Sequence, residues 1–119
     1  MRAILKGIYD NTVDGSLKEF FPADPRNFDT QLTLYVGSEG TTAEEMFYLR
    51  LSSLDFDESD SFCYKWYRYT LFVNFFEYNS IFDVINSKIS SFAGKRWEEI
   101  RKGMCGFFIS EFDNYIPYQ

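Results

Sequence analysis

FDTQLTLYVGSEGTTAEEMFYLRL, running from Phe28 to Leu51, is the stretch whose reading decides the fold. Phe28, Leu32, Leu34 and Val36 fall on one side of an extended chain, and Asp29, Gln31, Thr33 and Tyr35 on the other. This period of two is that of a strand with one face on a core and one toward water. Gly37-Ser38-Glu39-Gly40 supplies turn chemistry, and the alternation then resumes, with Glu45, Phe47, Leu49 and Leu51 against Met46, Tyr48 and Arg50. Two patterned runs joined by a glycine-bearing turn predict an antiparallel hairpin.

On the N-terminal side, Arg2 to Asp10 reads as a first strand and Asn11 to Gly15 as a turn. Pro22 and Pro25 forbid regular structure in the approach from Phe20 to Phe28. Beyond the hairpin, residues 52–66 read as an irregular acidic and aromatic loop. Alternation returns in one strand, with Tyr67, Tyr69, Leu71, Val73 and Phe75 against Arg68, Thr70, Phe72, Asn74 and Phe76. The period then becomes helical. Ser80 and Asp83 offer a cap pair, and Phe82, Ile85, Ile89 and Phe92 form one stripe that Gly94 is placed to end. A second helix over about Lys95 to Met104 buries Trp97, Ile100 and Met104, with Glu98 spaced to pair with Lys102. Phe107 to Phe112 reads as a last strand. The expectation is one α+β domain over residues 1–119: an antiparallel or mixed sheet of about five strands, with two consecutive helices packed on one face.

Composition narrows the function. The 119 residues carry a net charge of −6 and 21% aromatic residues, 14 of them Phe and 9 Tyr. That is more ring area than one small core readily hides, since each ring buries roughly 150–250 Å². The charge is uneven. Residues 39–60 hold Glu39, Glu44, Glu45, Asp55, Asp57, Glu58 and Asp60 against Arg50 alone, while the remainder balances. This argues against a nucleic-acid partner, which requires gathered Lys and Arg, and favours a protein that is basic at the contact. Cys63 and Cys105 stand apart without metal-ligand spacing and read as small hydrophobes of a reducing compartment. No apolar run suits a signal peptide or a membrane span, so the sequence predicts a cytoplasmic protein with no membrane partner.

Reactive chemistry is not encoded in any recognisable pattern. The chain has no histidine, which removes the usual neutral-pH base and the commonest zinc ligand. No glycine-rich phosphate cradle precedes a helix. Asp55, Asp57, Glu58 and Asp60 lack the sixth-position glycine and flanking helices of a calcium loop. The sequence therefore nominates no catalytic residue, no metal site and no cofactor, and predicts a protein that is not an enzyme.

What remains is binding. The acids Asp55, Asp57, Glu58 and Asp60, with Glu44 on the same acidic stretch, lie beside Phe56, Phe62, Tyr64, Trp66 and Tyr67. Acids steer a basic partner and aromatics supply anchors. The competing reading is a solvated loop whose rings turn back into the core. Tyr35, Tyr48, Phe72 and Phe76 form a second candidate on the helix-free sheet face, where the alternative is a cover made by residues 17–28.

Phe21-Pro22-Ala23-Asp24-Pro25-Arg26-Asn27-Phe28, with the strand ending Val36-Gly37-Ser38-Glu39-Gly40, resembles the opening of the immunity-protein-8 family of bacterial polymorphic toxin systems. So do Glu77-Tyr78-Asn79, Trp97-Glu98-Glu99-Ile100 and the run Gly106 to Tyr115, all in order. The resemblance implies a cytoplasmic protein encoded beside a toxin, such as a contact-dependent growth inhibition effector, that binds the toxin's C-terminal domain and blocks it. The toxin would in many cases be a nuclease. The family pattern carries no functional residue, so the candidate contacts rest on charge and aromatics. The alternative class is a structural or regulatory subunit that self-associates through the exposed sheet face; the sequence leaves the oligomeric state open.

Overall fold

The computed structural model describes residues 1–11, 15–17, 20–54 and 60–112, without the side chains of residues 15 and 16. Within them run β1 (Ala3–Asp10), β2 (Gly15–Ser16), β3 (Asp29–Ser38), β4 (Glu45–Ser53), β5 (Tyr64–Tyr67), β6 (Thr70–Val73), α1 (Tyr78–Ser90), α2 (Trp97–Met104) and β7 (Ile109–Ser110). The class is α+β. The strands form one open mixed sheet in the order β2-β1-β3-β4-β6-β5, with β7 also paired to β4.

The hairpin from Phe28 to Leu51 is the centre of that sheet, because β3 and β4 pair antiparallel from Asp29↔Ser52 to Val36↔Glu45. Its period-two pattern sorts the side chains as physics demands. Leu32, Leu34, Val36, Phe47, Leu49 and Leu51 are fully buried on one face, where each such side chain contributes roughly 1.5–3 kcal/mol on leaving water. Ile81, Ile85 and Ile89 of α1 and Ile100 and Met104 of α2 close the same core, so both helices cover one face and the other is free of them. At Gly37 an added Cβ would collide with the backbone carbonyl of Ala43, which explains why the strand end carries glycine.

The outer edge of β4 is shared. Its first half pairs antiparallel with β7 at Phe47 and Tyr48, and its second half pairs parallel with β6 from Arg50↔Thr70 to Ser53↔Val73. The parallel contact makes the sheet mixed.

Several local expectations are corrected. Residues 64–73 are not a loop followed by one strand, but an antiparallel hairpin of β5 and β6 in register Tyr64↔Val73 to Tyr67↔Thr70. Its two-residue turn is Arg68-Tyr69, with φ of 29° and 46°. Such turns need positive φ at both central positions and normally use Asn and Gly. Arg-Tyr carries no such signal. The turn shifts the facing: Trp66 shares the core face with Leu71, while Tyr67 joins Phe72 outside. Phe76, expected outside, instead meets Phe20, Phe21 and Phe28 with centroids 5.5, 6.4 and 5.6 Å away.

Helix α1 is capped by Glu77, not by Ser80 with Asp83. The Glu77 carboxylate accepts from the amides of Asn79 (2.9 Å) and Ser80 (3.0 Å) and from the Ser80 hydroxyl (2.7 Å). The fully buried α1 positions are Ile81, Ile85 and Ile89, while Phe82 and Phe92 pack partly exposed at the core margin. The last strand is shorter than expected, only Ile109–Ser110.

Candidate functional site

The expected acidic and aromatic site divides on the structure. Asp55, Phe56, Asp57 and Glu58 lie outside the described residues. Asp60 is exposed and faces Arg26 at 3.7 Å; a surface pair of this kind contributes little. Glu44 is exposed immediately before β4, whereas Asp60 leads into β5 beside the far end of β4. A nine-residue strand spans roughly 30 Å, so these two acids are not brought together.

The aromatic half converges on β5 and its turn. Phe62 is half-buried against Phe75 (5.9 Å between centroids) and Tyr64 (6.4 Å). Trp66 is half-buried against Phe107 (6.1 Å) and Phe108 (5.8 Å). Tyr64, Tyr67 and Tyr69 are 51%, 61% and 42% exposed. Phe62 and Trp66 therefore brace the hairpin from the core side, and the three tyrosines are presented to solvent. Large amphipathic rings held by rigid backbone are the side chains that dominate binding energy at interfaces. The charges around them are of both signs: Lys65, Arg68 and Lys88 stand with Asp60 and Asp83.

Alongside β5, Tyr64 and Trp66 form one wall of an open groove of about 410 Å³. The other wall is the flank of α1, including Asp83, Val84, Ser87 and Lys88. The Lys88 ammonium sits 3.9 Å from the Phe107 ring centroid and 5.5 Å from that of Trp66, a cation–π arrangement that holds a positive charge over apolar surface.

The helix-free face gathers the second predicted group apart from Phe76, which packs with Phe20, Phe21 and Phe28. Register places Tyr35, Tyr48 and Phe72 there together with Tyr9, Met46, Arg50 and Tyr67. Tyr9 and Tyr35 meet edge to face at 5.4 Å. Arg50 forks onto Asp29 with bonds of 2.9 and 2.6 Å, and that hydrogen bond holds its guanidinium above its ordinary pKa. Tyr35, Tyr48 and Phe72 are each half-buried. Of the segment proposed as their cover, Leu17 is buried in the core, and the rings of Phe20, Phe21 and Phe28 turn to Phe76.

A polar cluster that the sequence reading passed over lies at the other end of β4. Glu45 is 5% exposed, on the core face. Its carboxylate accepts from Arg101 Nε (2.9 Å to both oxygens) and Nη2 (2.7 Å), from Trp97 Nε1 (3.0 Å) and from the Ser110 hydroxyl (3.1 Å). The bond to Glu45 raises the Arg101 pKa further. One buried acid thus ties β4 to α2 and β7. A cavity of about 370 Å³ adjoins it, lined by Glu44, Thr41, Trp97, Arg101 and Phe112 among others. The one signal in the sequence was an acid standing where the alternation of Phe47, Leu49 and Leu51 demands an apolar residue. The exposed Tyr69 and the groove-lining Lys88 were missed because the turn between β5 and β6 was not legible.

Among the described residues no group of three or more His, Cys, Asp or Glu is placed to hold a metal ion, and no helix is long and apolar enough to cross a membrane. Cys63 and Cys105 are each partly exposed.

Comparison with protein-family models matches residues 4–115 to the family described as Immunity protein 8. Comparison with curated proteins and with solved structures finds no match.

Proposed function

The chain belongs to the Immunity protein 8 family, so it is an immunity protein directed against a toxin; from that premise we propose that it neutralises the toxin by stoichiometric binding, through the aromatic hairpin of β5 and β6, and performs no catalysis. The observation that carries the choice of surface is the exposure of Tyr64, Tyr67 and Tyr69 on one rigid hairpin whose inner side is fixed by Trp66 on Phe107 and Phe108. A surface of this kind needs no ordering on binding, which lowers the entropic cost of association.

The acidic residues 55–60 precede β5 directly in the chain, and they support a toxin that is basic where it is met. A nuclease with a positively charged substrate channel fits that description, and the acids would occupy the channel as the nucleic-acid backbone does. Neutralisation of a toxin that acts on the cell interior requires the protein in the cytoplasm. The partner proposed is the C-terminal domain of the toxin encoded beside this chain.

The test is co-expression of this chain with that neighbouring toxin domain. Restored growth, together with a co-purifying complex of fixed stoichiometry, is the expected result. A toxin domain that remains lethal and elutes separately removes the reading.

A further inference from the structure

We propose that the outer edge of β5 receives an extended segment of the toxin as an added strand, whose alternate side chains enter the groove between β5 and α1. This rests on the toxin-neutralisation reading above and specifies how the contact is made.

The backbone geometry comes first. Strand β5 ends the path of the sheet, so among the described residues no strand pairs with its outer side. In an antiparallel ladder, successive residues aim their N–H and C=O groups alternately toward the neighbour and away from it. Two bonds fix the phase here. The Cys63 carbonyl accepts from the Asn74 amide at 3.2 Å, so that pair faces inward. The Val73 carbonyl accepts from the Leu54 amide at 2.9 Å, so Val73 faces away from its partner Tyr64. Tyr64 and Trp66 consequently turn their backbone groups to the open edge. Exposed edges are usually blunted by shortness, by lysine or other charges, by proline or by bulges. Strand β5 is short and carries Lys65, but that charge lies on the helix-free face, the strand has no proline and its pairing to β6 is regular, so the outward groups of Tyr64 and Trp66 stay open to a partner strand.

The groove supplies the specificity. An added strand would set every second side chain between Trp66 and Val84, as peptides do when they extend a sheet beside a helix. Asp83 and Lys88 flank that space five positions apart on α1. At the helical rise they are separated by about 7.5 Å along the axis, close to the spacing of roughly 6.6 Å between side chains i and i+2 of a strand. The occupant is therefore an extended segment with opposite charges at alternate positions, its cation near Asp83 and its anion near Lys88. A second copy of this chain fits less well. Its own Tyr64 and Trp66 would enter the groove, leaving Asp83 and Lys88 without counter-charges.

The experiment compares Tyr64→Pro with Tyr64→Ala, using an inactivated form of the neighbouring toxin domain as the probe. Both variants lose the ring, and only proline removes the outward N–H, at an edge position that does not bond to β6. The expected result is affinity at least tenfold weaker for the proline variant, with both variants melting cooperatively. Amide exchange of the unaltered protein is read in parallel. The Tyr64 and Trp66 amides are expected to slow when the toxin domain is added. Equal affinities for the two variants, or unchanged exchange at both amides, overturns the proposal while leaving toxin binding intact. Protection that appears without toxin, as protein concentration rises, assigns the edge to a second copy and also overturns it. If the unaltered chain does not bind the toxin domain, the immunity reading itself has failed.

Discussion

Arg101 of α2 grips the buried carboxylate of Glu45 on β4, with Nη2 2.7 Å from one oxygen and Nε 2.9 Å from both. With Trp97 and Ser110 also donating to Glu45, the acid is satisfied from three elements. Removing one partner of such a pair leaves the other charge poorly solvated, which costs more than the pair contributes. Arg101→Ala, which leaves the buried carboxylate without its counter-charge, is expected to destabilise the fold by about 3–5 kcal/mol. Glu45→Ala acts in the same direction with a smaller effect, because the arginine it leaves behind is a third exposed and can turn to water. Urea unfolding of the two variants checks their order and magnitude, and an unchanged midpoint for Arg101→Ala would show that the cluster is not structural.

The turn between β5 and β6 predicts a trade between stability and binding. Arg68 and Tyr69 hold left-handed φ, which costs a non-glycine residue roughly 1–2 kcal/mol. The double substitution Arg68→Asn with Tyr69→Gly relieves that strain and should raise stability by about 1 kcal/mol or more, read as a higher unfolding midpoint. It also deletes an exposed ring, so toxin affinity should fall. A variant that is both more stable and equally tight would take Tyr69 out of the interface.

Much of this fold was legible because two periods are physically unambiguous. The alternation from Leu32 to Leu51 allows one facing only, since a shift by one residue would expose Leu34 and Phe47 and bury Gln31 and Arg50. The spacing of Phe82, Ile85, Ile89 and Phe92 marks a helix in the same way, although the third fully buried position is Ile81 and not Phe82. The site was less legible. Tyr64 and Trp66 were visible as aromatic anchors, but their edge position depends on a turn of Arg and Tyr that has no sequence signature. Glu45 could be placed on the core face by parity, yet its partners lie more than fifty residues away at Trp97 and Arg101. Long-range polar pairing leaves no local pattern. The Glu77 cap was missed for a different reason: glutamate seldom caps through its own longer side chain, and Ser80 offered the commoner motif.

That cap has a pH signature. The hydrogen bond from the Ser80 hydroxyl, aided by the amides of Asn79 and Ser80, holds the Glu77 carboxyl below its ordinary value against the opposing effect of burial. A group with a depressed folded pKa contributes stability above its unfolded pKa, near 4.3 for glutamate, and loses it as pH falls through the folded value. Glu77→Ala should therefore cost about 1 kcal/mol at pH 7, and the gap from the unaltered protein should narrow toward pH 3. Denaturant midpoints at the two pH values test this. A gap that stays constant would mean that the side chain acts by packing and not by its charge.

The acids of residues 55–60 and the edge of β5 should act on different steps of toxin binding. Charge acts at a distance and governs how often a basic surface arrives in the right orientation. Strand pairing and ring contacts govern how long the complex lasts. Asp60 has only an exposed partner in Arg26 at 3.7 Å, so reversing it costs the fold little. The combined variant Asp55→Lys, Asp57→Lys, Glu58→Lys, Asp60→Lys is expected to slow association about 10- to 100-fold at low ionic strength, with dissociation much less changed. The deficit should shrink as salt rises, because the screening length falls to about 8 Å at physiological ionic strength. Tyr64→Pro should show the opposite division, with faster dissociation and little salt dependence. Stopped-flow association and chase experiments at two salt concentrations separate the steps. If the charge-reversed variant associates at the unaltered rate, the acidic segment lies away from the toxin, and the rings of the hairpin must recognise it without electrostatic help.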